Sequence, residues 1–236
     1  MQYQRIAILT GAGISAESGV PTFRDKNGLW TGMSPDEVAS AVAFRRNPLG
    51  VNEFYNARRR AMKGVSPNAA HLALARLEKE PSLSCNIITQ NIDPLHEQAG
   101  SRNVNHIHGE IFKRRCYDCG FVGSIDGDIG CDDACPQCKK LGTLRPHVVL
   151  FGELTLNFAE ADSIVQKSDL FLSIGTSGGV YPACDLVQTA KAAGALTVCL
   201  NLKPESLSDA FDIHIAGPAT ETVPKIVERL LRGESL

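Results

Sequence analysis

The sequence predicts an α/β protein. A Rossmann-like parallel sheet forms a large domain, and a helical insertion with a zinc-binding module forms a smaller one. Three observations carry this. Strand-like apolar runs alternate with helical patterns along the chain, as in a parallel sheet with crossover helices. A glycine turn, Gly11-Ala12-Gly13-Ile14-Ser15-Ala16, follows the first run at once. Two Cys-x₂-Cys pairs fall in one stretch, Cys116/Cys119 and Cys135/Cys138.

The first strand is Ile6-Ala7-Ile8-Leu9, an unbroken apolar run of the kind buried on both faces. Ser34-Pro35-Asp36-Glu37 reads as a helix start, with Ser as N-cap, Pro at the first helical position and Glu three residues after the cap. The pattern Val38, Val42, Phe44 then runs up to Asn47-Pro48. A second helix is expected from Asn52 to Lys63, stopped by Gly64. Ser66-Pro67 begins a third, with His71, Leu72, Leu74 and Leu77 along it. Strands follow at Cys85–Thr89, Val104–Ile107, Pro146–Phe151, Asp169–Ile174, Leu196–Leu200 and Asp212–Ile215. Helices are expected over Pro182–Ala193 and Thr220–Arg232; the latter carries Val223, Ile226, Val227, Leu230 and Leu231 at helical spacing. The expected division is 1–33, 81–110 and 143–236 for the Rossmann-like domain, 34–80 for the helical insertion and 111–142 for the zinc module.

Composition narrows the function. The chain has 236 residues, 43% hydrophobic and 21% charged, with a net charge of −2. That excludes a disordered tail protein and gives no global basic field for nucleic acid or membranes. No apolar run approaches the roughly 18 residues of a membrane span. The first strand starts close to the N-terminus, so a cytoplasmic protein without a signal peptide is expected.

The glycine turn has two readings. It is a plain turn, or it is G-x-G-x-x-A opening a dinucleotide site. In the latter the first Gly permits the turn, the second lets a pyrophosphate approach and the small third residue packs helix on strand. No second strand ending in an acidic residue follows about 20 residues on, as hydride-transfer enzymes require. The loop-like Pro21-Thr22-Phe23-Arg24-Asp25 stands there instead.

Five of the eight cysteines lie between Cys116 and Cys138. In a reducing compartment such clustering points to metal rather than disulfides. Cys116, Cys119, Cys135 and Cys138, with fifteen residues between the pairs, make a four-thiolate structural zinc site. Cys131 is a spare; pairing it with Cys135 is the alternative, but Pro136 suits the tight 135–138 knuckle better. Cys85, Cys184 and Cys199 read as core residues.

Ligands of α/β sheets gather at the carboxyl ends of the strands. Those ends carry Gln90-Asn91-Ile92-Asp93, His108-Gly109-Glu110, Gly175-Thr176-Ser177 and Asn201. Each has a plain structural reading: helix cap for Asp93, turn for Asn91 and Asn201, loop for Gly175-Thr176-Ser177, core histidine for His108. Convergence of an amide, a carboxylate and an imidazole beside the glycine turn favours a site. His71, His96, His106, His147 and His214 are read as structural.

These residues resemble the sirtuins, NAD-dependent protein lysine deacylases. The likeness rests on Gly11-Ala12-Gly13-Ile14-Ser15, Gly19-Val20-Pro21-Thr22-Phe23-Arg24, Thr89-Gln90-Asn91-Ile92-Asp93, His106-Ile107-His108-Gly109-Glu110, the two cysteine pairs, Phe151-Gly152-Glu153 and Gly175-Thr176-Ser177. It is greatest to the bacterial cobalamin-biosynthesis-type sirtuins. The resemblance implies NAD as co-substrate, one structural zinc ion and acyl-lysine proteins as substrates, bound between the two domains. It implies His108 as general base, with Asn91 and Asp93 catalytic. NAD contacts fall on Gly11, Ala12, Gly13, Ser15, Phe23, Arg24, Gln90, Asn91, Asp93, Gly175, Thr176, Ser177 and Asn201. Val149, Phe151 and Gly152 fall on the substrate side. Tyr55 and Arg58 match the Tyr-x-x-Arg pair of sirtuins that remove acidic acyl groups, so desuccinylation and demalonylation join deacetylation.

The implied chemistry suits the residue types. The acyl oxygen attacks the nicotinamide ribose as nicotinamide leaves, which calls for fixed dipoles and excluded water. Products are free lysine, nicotinamide and O-acyl-ADP-ribose. The nearest rival is an ADP-ribosyltransferase or NAD glycohydrolase in the same cleft. A zinc-ribbon binding module is a rival from another class; Arg114-Arg115 favours phosphate, while Asp126, Asp128, Asp132 and Asp133 oppose it.

Overall fold

The computed structural model describes residues 3–22, 34–203 and 210–236. Its strands are β1 (Arg5–Thr10), β2 (Ser84–Thr89), β3 (Val104–His106), β4 (Gly109–Cys116), β5 (Val122–Ser124), β6 (Leu144–Val148), β7 (Leu170–Ile174), β8 (Leu196–Asn201) and β9 (Ile213–Ala216). Six of them form one sheet in the order β3-β2-β1-β7-β8-β9. Every neighbouring pair in it is parallel. The chain winds outward from β1 to one edge, then restarts at β7 and winds to the other. The crevice between β1 and β7 is therefore the switch point, where such sheets bind ligands.

The helices are α1 (Ala12–Ser15), α2 (Pro35–Val38), α3 (Ala41–Arg46), α4 (Pro48–Met62), α5 (Ala69–Glu78), α6 (Leu95–Ala99), α7 (Phe158–Gln166), α8 (Leu186–Ala192) and α9 (Ala219–Leu231). Alternation along the strands sends Ile6 and Ile8 to one face and Ala7 and Leu9 to the other. The first face packs on α5 and α9 through Leu74, Leu77, Val223, Ile226 and Leu230. The second packs on α7 and α8 through Ala161, Val165, Leu186 and Ala190. Both faces are covered, which is why β1 and β7 are near-continuous apolar runs. Helix α5, within 34–80, thus lies against the large sheet. Helices α3 and α4 contribute to a separate cluster with Val20, Leu95, Ile111, Val148 and Leu150.

Several local expectations hold in detail. Ser34 N–H donates to Glu37 Oε2 at 3.0 Å and Asp36 N–H to Ser34 Oγ at 3.2 Å, a reciprocal cap. Gly233 adopts φ 73° just past α9, as a helix-ending glycine does. Others are corrected. Helix α4 starts at Pro48, not Asn52, because Asn47 Oδ1 caps it through Gly50 N–H at 2.9 Å and proline needs no N–H there. Helix α5 starts at Ala69, capped by Asn68 rather than led in by Ser66-Pro67. Val42 and Leu72 are exposed, off the buried stripes of their helices. The strand expected at Pro146–Phe151 is β6, two residues earlier, and it belongs to the small antiparallel sheet β5-β4-β6. Strand β4 and helix α7 were not expected. Lys113-Arg114-Arg115 hide the former, while Phe158, Ala161 and Val165 at helical spacing are the signal for the latter.

Cys85 and Cys199 are buried core thiols, pushed by burial up to about 12 and about 11. Cys184 is a correction: it is half-buried beside Asp185 rather than part of the core.

Candidate active site and metal centre

The glycine turn is built by contact with the strand end across the switch point. Gly11 N–H donates to Ile174 O at 3.0 Å and Gly13 N–H to Gly175 O at 2.8 Å. A Cβ on Gly13 would stand 2.7 Å from Gly175 Cα, and one on Gly175 would stand 2.4 Å from Ile14 N. Gly175 also sits at φ +61°. Two backbones meet here at a separation that no side chain permits.

Beside this turn, Asn91 and Asp93 are both buried. Asn91 Nδ2 donates to Gly11 O at 3.1 Å and to Ser15 Oγ at 3.2 Å. Ser15 Oγ donates to Asp93 Oδ2 at 3.0 Å, and Leu95 N–H donates to Asp93 Oδ1 at 3.2 Å. Burial raises the Asp93 pKa, while those two donors oppose the rise. The expected amide, carboxylate and serine are thus one cluster against Gly11.

A second chain of hydrogen bonds crosses the carboxyl edge of four strands. His108, after β3, meets Gln90 O through Nδ1 at 3.0 Å. Gln90 Nε2 donates to Thr176 Oγ1 at 3.0 Å, spanning the glycine turn between them. Asn201 Nδ2, at the end of β8, donates to Thr176 O at 2.8 Å. Ser177 Oγ accepts from Gly179 N–H at 3.4 Å. A carbonyl oxygen can only accept, so His108 carries its proton on Nδ1 and leaves Nε2 as the acceptor. Burial lowers the His108 pKa, so the ring is neutral at pH 7. Val149 N–H donates to His108 O at 2.9 Å, which ties the chain after β6 to the backbone of His108.

Phe151 pairs with the segment between α2 and α3: its N–H donates to Ala39 O at 2.8 Å and its O accepts from Ala41 N–H at 3.0 Å. The turn through Gly152, at φ +89°, is closed by Glu153, which accepts from Leu150 N–H at 2.9 Å. Glu153 is held by Arg145 through two bonds, at 2.6 and 3.0 Å. Nothing in the sequence marked Arg145 for this task. Tyr55 is buried beside Val148 and Leu150, and burial pushes its phenol up to about 12. Arg58 lies over the Phe54 ring at 5.5 Å and feels the charge of Asp93. Phe23 and Arg24 lie outside the described residues.

His71, His96 and His106 hold structure beneath the site. His96 Nε2 meets Thr10 Oγ1 at 3.0 Å, and His71 packs edge-on to His96 at 5.0 Å. His106 bonds Glu97 at 2.7 Å.

The sulfurs of Cys116, Cys119, Cys135 and Cys138 all lie within 4.8 Å of one another. Cys116 to Cys138 is 3.9 Å and Cys119 to Cys135 is 3.6 Å. A tetrahedral zinc ion with Zn–S of about 2.3 Å requires sulfurs about 3.8 Å apart, so this donor set fits zinc. Cys131 is exposed and outside the cluster. Four thiolates leave no open coordination position, so the centre is structural.

A parallel six-stranded sheet with a polar cluster at its switch point and a four-cysteine module defines a dinucleotide-cleft protein of the Sir2 class. The Sir2 family model matches residues 11–182, and the chain belongs to that family. It is 53% identical over 236 residues to the NAD-dependent protein deacylase SIR2rp3 of Leishmania major, covering 98% of this chain and 97% of that one. It is 48% identical to the NAD-dependent protein deacylase of Caulobacter vibrioides, with coverage of 96% and 97%. Among solved structures, a Sir2 homolog–NAD complex superposes with a TM-score of 0.89 at 37% identity, covering 99% of this chain and 91% of that chain. The family and fold expected from the motifs are borne out.

Proposed function

We infer that this chain is an NAD-dependent protein lysine deacylase that releases nicotinamide and O-acyl-ADP-ribose. The observation that carries the reading is the hydrogen-bonded edge His108–Gln90–Thr176–Asn201 lying over the glycine turn. Gly11, Ala12, Gly13, Ser15, Gln90, Asn91, Asp93, Gly175, Thr176, Ser177 and Asn201 hold NAD. NAD would supply, when bound, the ribose carbon that loses nicotinamide to the acyl oxygen and the ribose hydroxyl that ends carrying the acyl group. Asn91 and Asp93 act as fixed dipoles, held by Ser15 and Gly11 so that they need no reorganisation during reaction. His108 Nε2, neutral and unprotonated, takes up a proton as general base. Val149, Phe151 and Gly152 hold the acyl-lysine segment beside it.

No helix among the described residues is long and apolar enough to cross a membrane. A cytoplasmic, reducing setting suits the zinc thiolates. Asp126 and Asp128 pair with Lys63 and Arg60 on the face of the zinc module and disfavour a nucleic-acid partner.

The acyl range includes succinyl and malonyl as well as acetyl. Arg58 is half-buried, feels the charge of Asp93 but makes no ion pair with a carboxylate among the described residues, and its Nε is buried without a hydrogen bond. A desolvated guanidinium of this kind is suited to a carboxylate from outside the chain, gripped through two parallel bonds. A panel of acyl-lysine peptides with and without NAD tests the reading, and turnover is expected only with NAD. A hydrogen bond between charged groups contributes roughly 1.5–3 kcal/mol, so Arg58→Met should cut desuccinylation about 10- to 100-fold and deacetylation much less. Equal loss of both activities, or loss of neither, would exclude Arg58 as the reader of the acyl carboxylate.

A further inference from the structure

Helix α4 carries two neighbouring stripes. At about 100° per residue, Val51, Tyr55, Arg58 and Met62 share one side, and Asn52, Asn56 and Arg59 share the next. The second stripe is polar yet buried; Arg59, only 1% exposed, is the largest fully buried side chain described. Apart from a contact of Asn56 with the Glu53 side chain on the same helix, the partners of this stripe are backbone of the small sheet and zinc module, or another member of the stripe. Asn52 Nδ2 donates to Leu144 O at 3.1 Å. Asn56 pairs with Ile129 in both directions, Nδ2 to O at 3.2 Å and N–H to Oδ1 at 2.9 Å. Arg59 donates to Ile111 O at 2.8 Å, to Gly127 O at 3.0 Å and to Asn56 Oδ1 at 3.0 Å. Ile129 and Leu144 form the module's small core together with Cys116 and Cys135.

A buried guanidinium whose hydrogen bonds all go to carbonyl and amide oxygens, with Asp128 acting on it only through its charge, is a poor stabiliser compared with an apolar side chain of similar volume. What it provides is direction. Each bond fixes the rotation and height of α4 against a particular carbonyl, which apolar packing alone leaves free to slip. Arg58 sits on the same helix, one residue before Arg59. We propose that Asn52, Asn56 and Arg59 are positioning residues for acyl-chain selectivity. They lock α4 to the zinc module and so aim Tyr55 and Arg58 at the distal carboxylate of an acidic acyl-lysine. This rests on the reading of Arg58 given above.

The test compares succinyl-lysine and acetyl-lysine peptides on Arg59→Met, Arg59→Lys and Arg58→Met, all with zinc content verified. For Arg59→Met the KM for the succinyl peptide should rise about tenfold. Its kcat, and both constants for the acetyl peptide, should stay within about twofold. Arg59→Lys keeps the charge but not the fork, and should fall between wild type and Arg59→Met. If Arg59→Met is recovered unfolded, Asn52→Leu, which releases only the Leu144 tether, should show the same selective rise in KM. A selective effect in Arg58→Met with none in the folded stripe variants overturns this inference alone. No selective effect in Arg58→Met overturns the reading beneath it. An equal loss on both peptides in the stripe variants assigns the stripe to general stability and also overturns the inference.

Discussion

His108→Ala should lower deacylation at least about 100-fold, the lower range of a positioned general base, without unfolding the chain. The ring is half-buried, and Gln90 O is its one hydrogen-bond partner described. Its removal leaves the glycine turn, the Asn91–Ser15–Asp93 cluster and the cysteine centre untouched. Zinc content and thermal midpoint should therefore match wild type, while turnover of acyl-lysine peptide falls towards background. The pH profile gives a second readout. Burial holds the His108 pKa below the ordinary imidazole value of 6.5. Its neutral, proton-accepting form thus persists to lower pH than in a free histidine, and the acid limb of wild-type activity should lie below 6.5. Exchange of labelled nicotinamide into NAD that survives in His108→Ala would place the histidine after nicotinamide departure. Near-normal turnover in the variant would remove His108 from the chemistry.

Cys135→Ser should have the largest effect on the fold. The zinc module has a core of only Cys116, Ile129, Cys135 and Leu144, with four more side chains packed half-buried around it. A cluster this small cannot offset the entropy of ordering the module, so the metal supplies most of its folding energy. Loss of one thiolate should lower zinc from about one ion per chain to well below that. Protein should become insoluble, or be cleaved within the Cys116–Gly142 stretch in limited proteolysis. Damage should extend to α4, because Asn52 and Asn56 bond the same segment at Leu144 and Ile129. A soluble, fully active, metal-free variant would contradict the assignment.

How much of this was legible in the sequence depends on how local each cause is. The β1 run, the glycine turn and the two cysteine pairs are short-range patterns with short-range causes, and the structure carries all three. The polar residues at strand ends could be placed on one edge because a parallel sheet puts all its carboxyl ends together. Their bonding order could not. That Gln90 reaches Thr176 across Gly11–Gly13 depends on β1 lying between β2 and β7, which is sheet order rather than sequence. Helix α5 shows the same limit. Its periodicity marks an apolar face through Leu74 and Leu77, but not that the face meets α9 and the large sheet. Strand β4 stayed hidden because Lys113, Arg114 and Arg115 are half-buried charges on a small antiparallel sheet, where alternation is weak. The basic run Arg58-Arg59-Arg60 is the sharpest case. Read locally it is a solvated patch, yet its three members have three fates. Arg60 pairs with Glu53 and Asp128 at the surface. Arg59 is sealed among backbone carbonyls, and Arg58 is held over Phe54 without an ion pair to a carboxylate among the described residues. Helix rotation separates them, and only the tertiary partners on each side reveal it.

The most direct measurement is the mass of the products formed when an acyl-lysine peptide and NAD are incubated with the protein. The account predicts free lysine peptide, nicotinamide and O-acyl-ADP-ribose in equal amounts, with none formed when NAD is left out. ADP-ribosylated protein, or bare ADP-ribose with the acyl group still on lysine, would show a transferase or glycohydrolase in the same cleft and contradict it.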